Sequence, residues 1–406
     1  MSTDTSAKGV VAALFAPFLM ALGFILWDKT WNKYRGSAFG LNLFKCTFAS
    51  IGFFILCLSL GWTSNYSSSS MTTINESSVF TSQNIGFLIL SATIGIIIGD
   101  LAWLEALRLM GATRVLIVDT IKPFAAAFLG RIILHEKVNS IAYLGIVFTV
   151  LGVLIVGLDK ELESRQEHSM EQQKVEIQVP NAEDEPAMDH PLASNDGNCL
   201  DVENTVHQRL EVSNEKISVH AAIDISMDRV TRGYVYALLN VLLDTFGALL
   251  TKQHGQNMAT WAINFIRFGS SGLMMIFISM AMRVRNRYQQ QKVRSSETKM
   301  EYPPLTIHEP NPTLNTTPWY VLPSMPYHAW GIICLGVILV TFLSALLSNY
   351  ALFQIALALA ITLGSITPLY ALILEWPLKG IRPTVKATLG SMIAVGGVCI
   401  LAIWGS

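Results

Sequence analysis

Charge is scarce in this chain. Only 14% of its 406 residues are Asp, Glu, Lys or Arg, where soluble globular chains carry about 25%. Cysteine is scarce too: five residues, with no CxxC spacing and four of them inside apolar runs. A thiol in such a run behaves as a small hydrophobe, which excludes a disulfide framework and a zinc site. The chain has no HExxH, no GxSxG and no P-loop GxxxxGK[ST], so the usual signatures of metalloproteases, serine hydrolases and ATP-driven pumps are missing. Gly99-Asp100 matches half of the GxGD motif of intramembrane aspartyl proteases, but Ile97 stands where the first glycine is required. Nothing points to an enzyme, a cofactor, a metal or a nucleic-acid partner.

What the chain does have is apolar length. Its residues are 51% hydrophobic and its mean hydropathy is +0.44. Ten runs are long enough to cross a hydrocarbon layer of about 30 Å: 9–27, 38–60, 85–107, 112–133, 139–158, 233–251, 258–282, 328–352, 355–378 and 384–404. They lack the period-two alternation of barrel strands, so they are expected to be helices, the other structure that satisfies its backbone in lipid. The first run is too long for the core of a signal peptide and reads as an uncleaved span. The expected class is an all-α polytopic membrane protein, multi-pass in the plasma membrane or an endomembrane, with the lipid bilayer as its main partner. A homodimer is compatible with this.

Residues 159–230 hold 17 acidic and 6 basic residues. Such a composition buries too little apolar surface to fold alone, and it reads as a disordered linker with four scattered, solvated histidines. The chain thus divides into a first five-helix repeat at 1–158, the acidic linker at 159–230 and a second repeat at 231–406. A polar loop at 283–327 opens on the basic run RVRNRYQQQKVR, suited to anionic headgroups.

The two halves repeat one another. Pro123, Ala142, Gly145 and Gly152 return as Pro368, Ala387, Gly390 and Gly397, always 245 residues later. Gly9 and Gly23 share their spacing with Gly233 and Gly247, and NLFK at 42–45 faces NFIR at 264–267. Five spans is an odd number, so the second copy enters the membrane from the opposite side. That makes an inverted repeat, as in many secondary transporters. The Gly95/Gly99 GxxxG is assigned to close helix packing.

The stretch LEALRLMGATRVLIVDTIKPFAAAFLGRIILHEKV at 104–138, followed by a glycine-spaced helix, resembles the repeat of the drug/metabolite transporter superfamily, EamA type. The resemblance rests on the Gly111-Ala112 turn, Pro123, Glu136 and the glycines after it, and it covers both membrane halves but not the linker. It implies ten helices in two inverted EamA-like repeats and a transport function, with the cargo open. The second copy departs at Ile381, which stands at the position of Glu136, and Lys45 stands where the family more often shows Arg.

Ionisable groups inside a span are costly and by default mark a functional site. Lys45 lies about 10 Å into the second span at 1.5 Å per residue. Asp100, Asp119 and Lys122 reach similar depth from the same face, and Asp244 and Arg267 lie within spans of the second half. Asp119 and Lys122 share a helix face at i,i+3. Pro123 has no amide to offer the Asp119 carbonyl, and Pro368 repeats this at Gly364. These two prolines are the expected helix-break positions. Lys45, Asp100, Asp119, Lys122, Asp244 and Arg267 form the candidate substrate site. The competing reading is structural pairing of Asp119 with Lys122 and snorkelling of Lys45. Glu105 with Arg108 is read as an interfacial pair.

Taken together, these features lead to a secondary transporter that moves a small polar or anionic metabolite by alternating access. The rivals are a non-transporting scaffold or receptor that works through the acidic linker, and a facilitative channel. Orientation is opposed by two signals. Lys and Arg gather on the face of the linker, which by the positive-inside rule is cytosolic. The glycosylation candidates Asn65 and Asn75 then lie outside or in the lumen, together with both termini. The resemblance implies cytosolic termini instead.

Overall fold

The computed structural model describes residues 3–63, 80–110, 112–136, 138–177, 229–256, 258–297, 318–379 and 384–404. Among them the only β feature is one isolated bridge, Thr63 with Met258. Among the described residues, nine helices are long and apolar enough to cross a membrane. The tenth expected span, 112–133, is set apart by charge: Arg114, Asp119, Lys122 and Arg131 interrupt it, whereas the ninth, which breaks at the same place, is uncharged through its apolar stretch and counts as a span. The helices are α1 (Thr3–Lys33), α2 (Ala38–Leu60), α3 (Ser82–Met110, with a π-helical stretch Thr93–Gly99), α4a (Ala112–Asp119) and α4b (Lys122–Ile133), and α5 (Ser140–Ile177). The second half supplies α6 (Arg229–His254), α7 (Thr260–Glu297), α8 (Tyr327–Gln354, π-helical at Ile338–Leu343), α9a (Leu357–Gly364) and α9b (Thr367–Lys379), and α10 (Val385–Trp404).

Two expected loops begin as helix. The basic run at 283–294 continues α7, because Arg, Gln and Lys are good helix formers, and α5 extends to Ile177, beyond the expected start of the linker. The remainder of the linker, both sequons and the tip of the 283–327 loop lie outside the described residues.

Local chemistry sets the ends. Ser37 and Thr81 accept from Gly40 N (2.9 Å) and Asn84 N (3.2 Å), capping α2 and α3, as short hydroxyl side chains do at an N-terminus. His135 takes a left-handed φ of 54°. This closes α4b with a bond from Glu136 N to Gly130 O at 3.1 Å, six residues back and one residue wider than a Schellman bond.

The repeat is visible in the helix limits. α3 and α8 start at 82 and 327, their π stretches at 93 and 338, α4a and α9a at 112 and 357, α4b and α9b at 122 and 367, and α5 and α10 at 140 and 385. Each difference is 245. Even the breaks match: Thr120 N to Ile117 O (3.3 Å) becomes Ser365 N to Thr362 O (3.2 Å), and Phe124 N to Ile121 O becomes Leu369 N to Ile366 O. In each copy the proline at the second position of the new helix segment withholds the amide that would have continued the old one.

Mates pack on each other head to tail. Gly145 and Gly152 of α5 meet Gly397 and Gly390 of α10 in turn, and Asp159 accepts from Thr384 beyond them. In α2 and α7, Thr47 faces Gly272, Ser50 faces Gly269, and Phe54 lies 5.3 Å from Phe265. Residue numbers rise along one helix as they fall along the other, so equivalent helices are antiparallel and the halves are inverted. The first helix of each half crosses over: α1 packs on α8 and α9, while α6 packs on α3 and α4 through Ala106, Val115, Val118, Ala237 and Val241. Large apolar side chains such as Leu58, Phe128 and Phe277 face outward, as a lipid-facing surface requires.

Candidate functional site

All six ionisable residues singled out from the sequence are brought together where α2, α3, α4, α6 and α7 converge. Lys45 forms an ion pair with Asp100, with side chains 17% and 29% exposed. One turn before Lys45, the fully buried Asn42 donates to Ile96 O at 2.9 Å. That carbonyl belongs to the π stretch, where the ladder is widened and Asp100 N bonds back to Gly95 O, five residues away. π-bulges of this kind recur at functional sites. Here the wide turn precedes Asp100, which pairs with Lys45, and Gly99 O at its end accepts from Asn240 Nδ2 at 2.9 Å.

Lys122 opens α4b, just after the break. Its Nζ lies 3.3 Å from Asp119 Oδ1 and 3.1 Å from Asp244 Oδ2, so it binds carboxylates from both halves. Asp119 Oδ2 accepts from Trp103 Nε1 at 3.1 Å. Asp119 Oδ1, buried, is held by Lys122 alone among the described residues. Asp244 keeps 48% of its side chain exposed although it lies within a span. Around the break, Pro123 and Pro368 are both buried.

Arg267 is different. Its residue is only 9% exposed, and its Nε is sealed without a hydrogen-bond partner among the described residues. It lies within Coulombic reach of Asp244 and Asp100 but pairs with neither. A terminal nitrogen lies 3.8 Å from where a Cβ on Gly95 would stand, at the point where Gly95 meets Gly247 of α6. The GxxxG thus joins α3 to α6 across the halves.

A second polar group lies toward the face of the termini. Glu136 Oε2 accepts from Leu357 N at 2.8 Å, capping α9a, and Oε1 pairs with Lys252 at 2.6 Å. Lys252 also donates to Ile355 O at 2.5 Å. Sequence reasoning missed Trp103 and the burial of Lys252, whose side chain is 14% exposed. The signals were an indole three residues after Asp100 and a lysine that merely looks interfacial from its place near a helix end. Glu105 and Arg108 pair at 2.5 Å on an exposed surface, apart from the cluster. The side chain of Glu375, expected from its place near the end of the ninth span to reach the headgroups, lies outside the described residues.

Two inverted five-helix repeats that enclose a charge cluster between them define a multi-pass membrane protein of the transporter class. The family model described as EamA-like transporter family matches residues 7–158 and 303–403. The chain belongs to this family, and it is a membrane transporter of the drug/metabolite type; members of the family are transporters, not enzymes. The matched regions omit α6 and α7, which the structure places as the mates of α1 and α2. Comparison with curated proteins gives no match. One solved crystal structure, whose description says only that it is a protein, superposes with a TM-score of 0.56 over 100% of this chain and 98% of its own. At 9% identity that likeness speaks to the fold alone.

Proposed function

We propose that this protein is a secondary transporter that carries a small polar or anionic solute by alternating access, its two halves rocking about the charge cluster. The observation that carries this reading is the Lys122–Asp244 ion pair between the halves, with the unpaired Arg267 beside it. Charges cost several kcal/mol at membrane depth. A scaffold acting through its linker has no use for them, and an ion pair that bridges two inverted halves is suited to being made and broken as they rock. The cations Lys45, Lys122 and Arg267 and the carboxylates Asp100, Asp119 and Asp244 are the proposed cargo contacts.

The test is solute uptake by purified protein in proteoliposomes, with a metabolite panel read by mass spectrometry. Saturable uptake with counterflow of one solute class is expected, and it should be lost in an Arg267→Met protein that still melts cooperatively. Flux that neither saturates nor shows counterflow would mean a channel. A folded protein that moves no solute would favour the scaffold.

A further inference from the structure

Repeat symmetry gives each cation of the cluster an expected partner, and one of those partners is absent. Lys45 and Arg267 are mates, in NLFK and NFIR. Lys45 is neutralised by Asp100. The position 245 residues after Asp100 is Ala345, preceded by Ser344, so neither can neutralise Arg267. Ala345 packs in the cluster that contains Phe268, the neighbour of Arg267, so the vacancy is local. The result is a cluster with separated poles. Lys45 and Asp100 cancel. Lys122 with Asp119 and Asp244 leaves one excess negative charge, and Arg267, more than nine-tenths buried, carries one positive charge that makes no ion pair among the described residues.

We propose that Arg267 is the anchor for a carboxylate of the cargo, and that the cargo is a dipolar ion whose cationic group is received by Asp244. This rests on the transport reading and names its substrate class. A guanidinium left bare at this depth is completed best by a carboxylate, which it binds through two parallel hydrogen bonds. Asp244 is the most exposed carboxylate of the cluster, and only its Oδ2 is engaged, by Lys122. A simple anion would satisfy Arg267 and leave the loaded site with a net negative charge. A simple cation would leave Arg267 bare. A zwitterion completes both poles and leaves the low-dielectric site neutral, avoiding the desolvation cost of an uncompensated charge.

Binding is read as the rise in melting temperature of the purified full-length protein in detergent. The probes are a set of free amino acids, the same acids N-acetylated (anion only) and the same acids amidated (cation only). Free acids are expected to stabilise, with affinity at least about tenfold above either derivative, the step set by losing one charged contact. In Ala345→Asp, which supplies the carboxylate that symmetry would place there, the fold should hold and the stabilisation by free acids should vanish. Acetylated acids that bind as well as their parents overturn the proposal. So does a folded Ala345→Asp protein that still binds, or wild-type protein that responds to no probe. If Ala345→Asp does not fold, the wild-type series decides alone. Because binding is read in detergent, a protein that binds zwitterions yet carries none into vesicles refutes the transport reading and leaves this one standing.

Discussion

At Lys122 one ammonium holds two carboxylates, Asp119 at 3.3 Å and Asp244 at 3.1 Å. Removing the shared partner of buried charges costs about 3–5 kcal/mol, and the partial exposure of Asp244 moves Lys122→Met toward the lower end. Asp119→Asn should be milder, because Asp244 continues to balance Lys122. Melting of the two variants in detergent checks this order, and the reverse order would mean that Asp244 does not share the charge. Trp103→Phe removes one donor to Asp119 and should cost about 1–3 kcal/mol, the penalty for a buried acceptor left short. The six charges were legible in the sequence because each interrupts an apolar run. Their pairing was legible only within one helix, where i,i+3 spacing made Asp119 and Lys122 neighbours. The Lys122–Asp244 and Lys45–Asp100 pairs depend on which helices touch, and no spacing encodes that. A double change at Asp119 and Lys122 therefore leaves Asp244 unbalanced, which a reading of the sequence as an isolated pair would have overlooked.

The α5–α10 seam shows what the glycines at offset 245 are for. A Cβ on Gly397 would stand 2.4 Å from Thr149 N, and one on Gly152 would stand 2.4 Å from Ala394 N and Gly390 O. These obstacles are backbone, which cannot rotate away. Gly396, next along the same helix, meets nothing within 4 Å. Gly397→Ala should therefore destabilise by about 2 kcal/mol or more, at the upper end of overpacking costs. Gly396→Ala should be neutral or slightly stabilising, by up to about 1 kcal/mol from helix propensity. Equal melting temperatures for the two variants would show that the seam can part without cost. The glycines and prolines were legible because their chemistry is local. Pro123 and Pro368 marked where the helices would be disturbed, but not that they stop at 120–121 and 365–366, because a proline only withholds an amide and the surroundings decide whether the helix bends or stops. The π stretches have no sequence signature: an apolar run reads the same whether its turns hold α or π spacing, and Gly95 and Gly99 register only the close approach to α6.

Across the whole molecule, the inverted halves are tied together unequally at their two ends. On the face of the termini, Glu136 from the first half caps α9a and holds Lys252, both of the second half. Just inside that link, Ala126, Leu249, Leu352 and Leu357 form a fully buried apolar plug. The position equivalent to Glu136 is Ile381, whose side chain can neither cap a helix nor pair with a lysine; on the opposite face the halves are joined instead by a hydrogen bond from the uncharged donor Thr384 to Asp159. Alternating access requires the halves to part on each face in turn, so opening on the face of the termini must break the Glu136–Lys252 pair and expose the plug. Glu136→Gln keeps an oxygen for Leu357 N and removes the charge from Lys252, which weakens closure without deleting the cap. A cysteine placed at Leu249, with the native cysteines replaced, should be protected from a membrane-impermeant maleimide in the parent protein. In the Glu136→Gln background it should label about tenfold faster, the change that a loss of about 1.4 kcal/mol in closure produces. Melting temperature measured alongside separates opening from unfolding, since a general loss of structure would lower both. Unchanged labelling in a protein of unchanged stability would mean that the apolar plug alone holds this face shut, and that Glu136 serves only to start α9a.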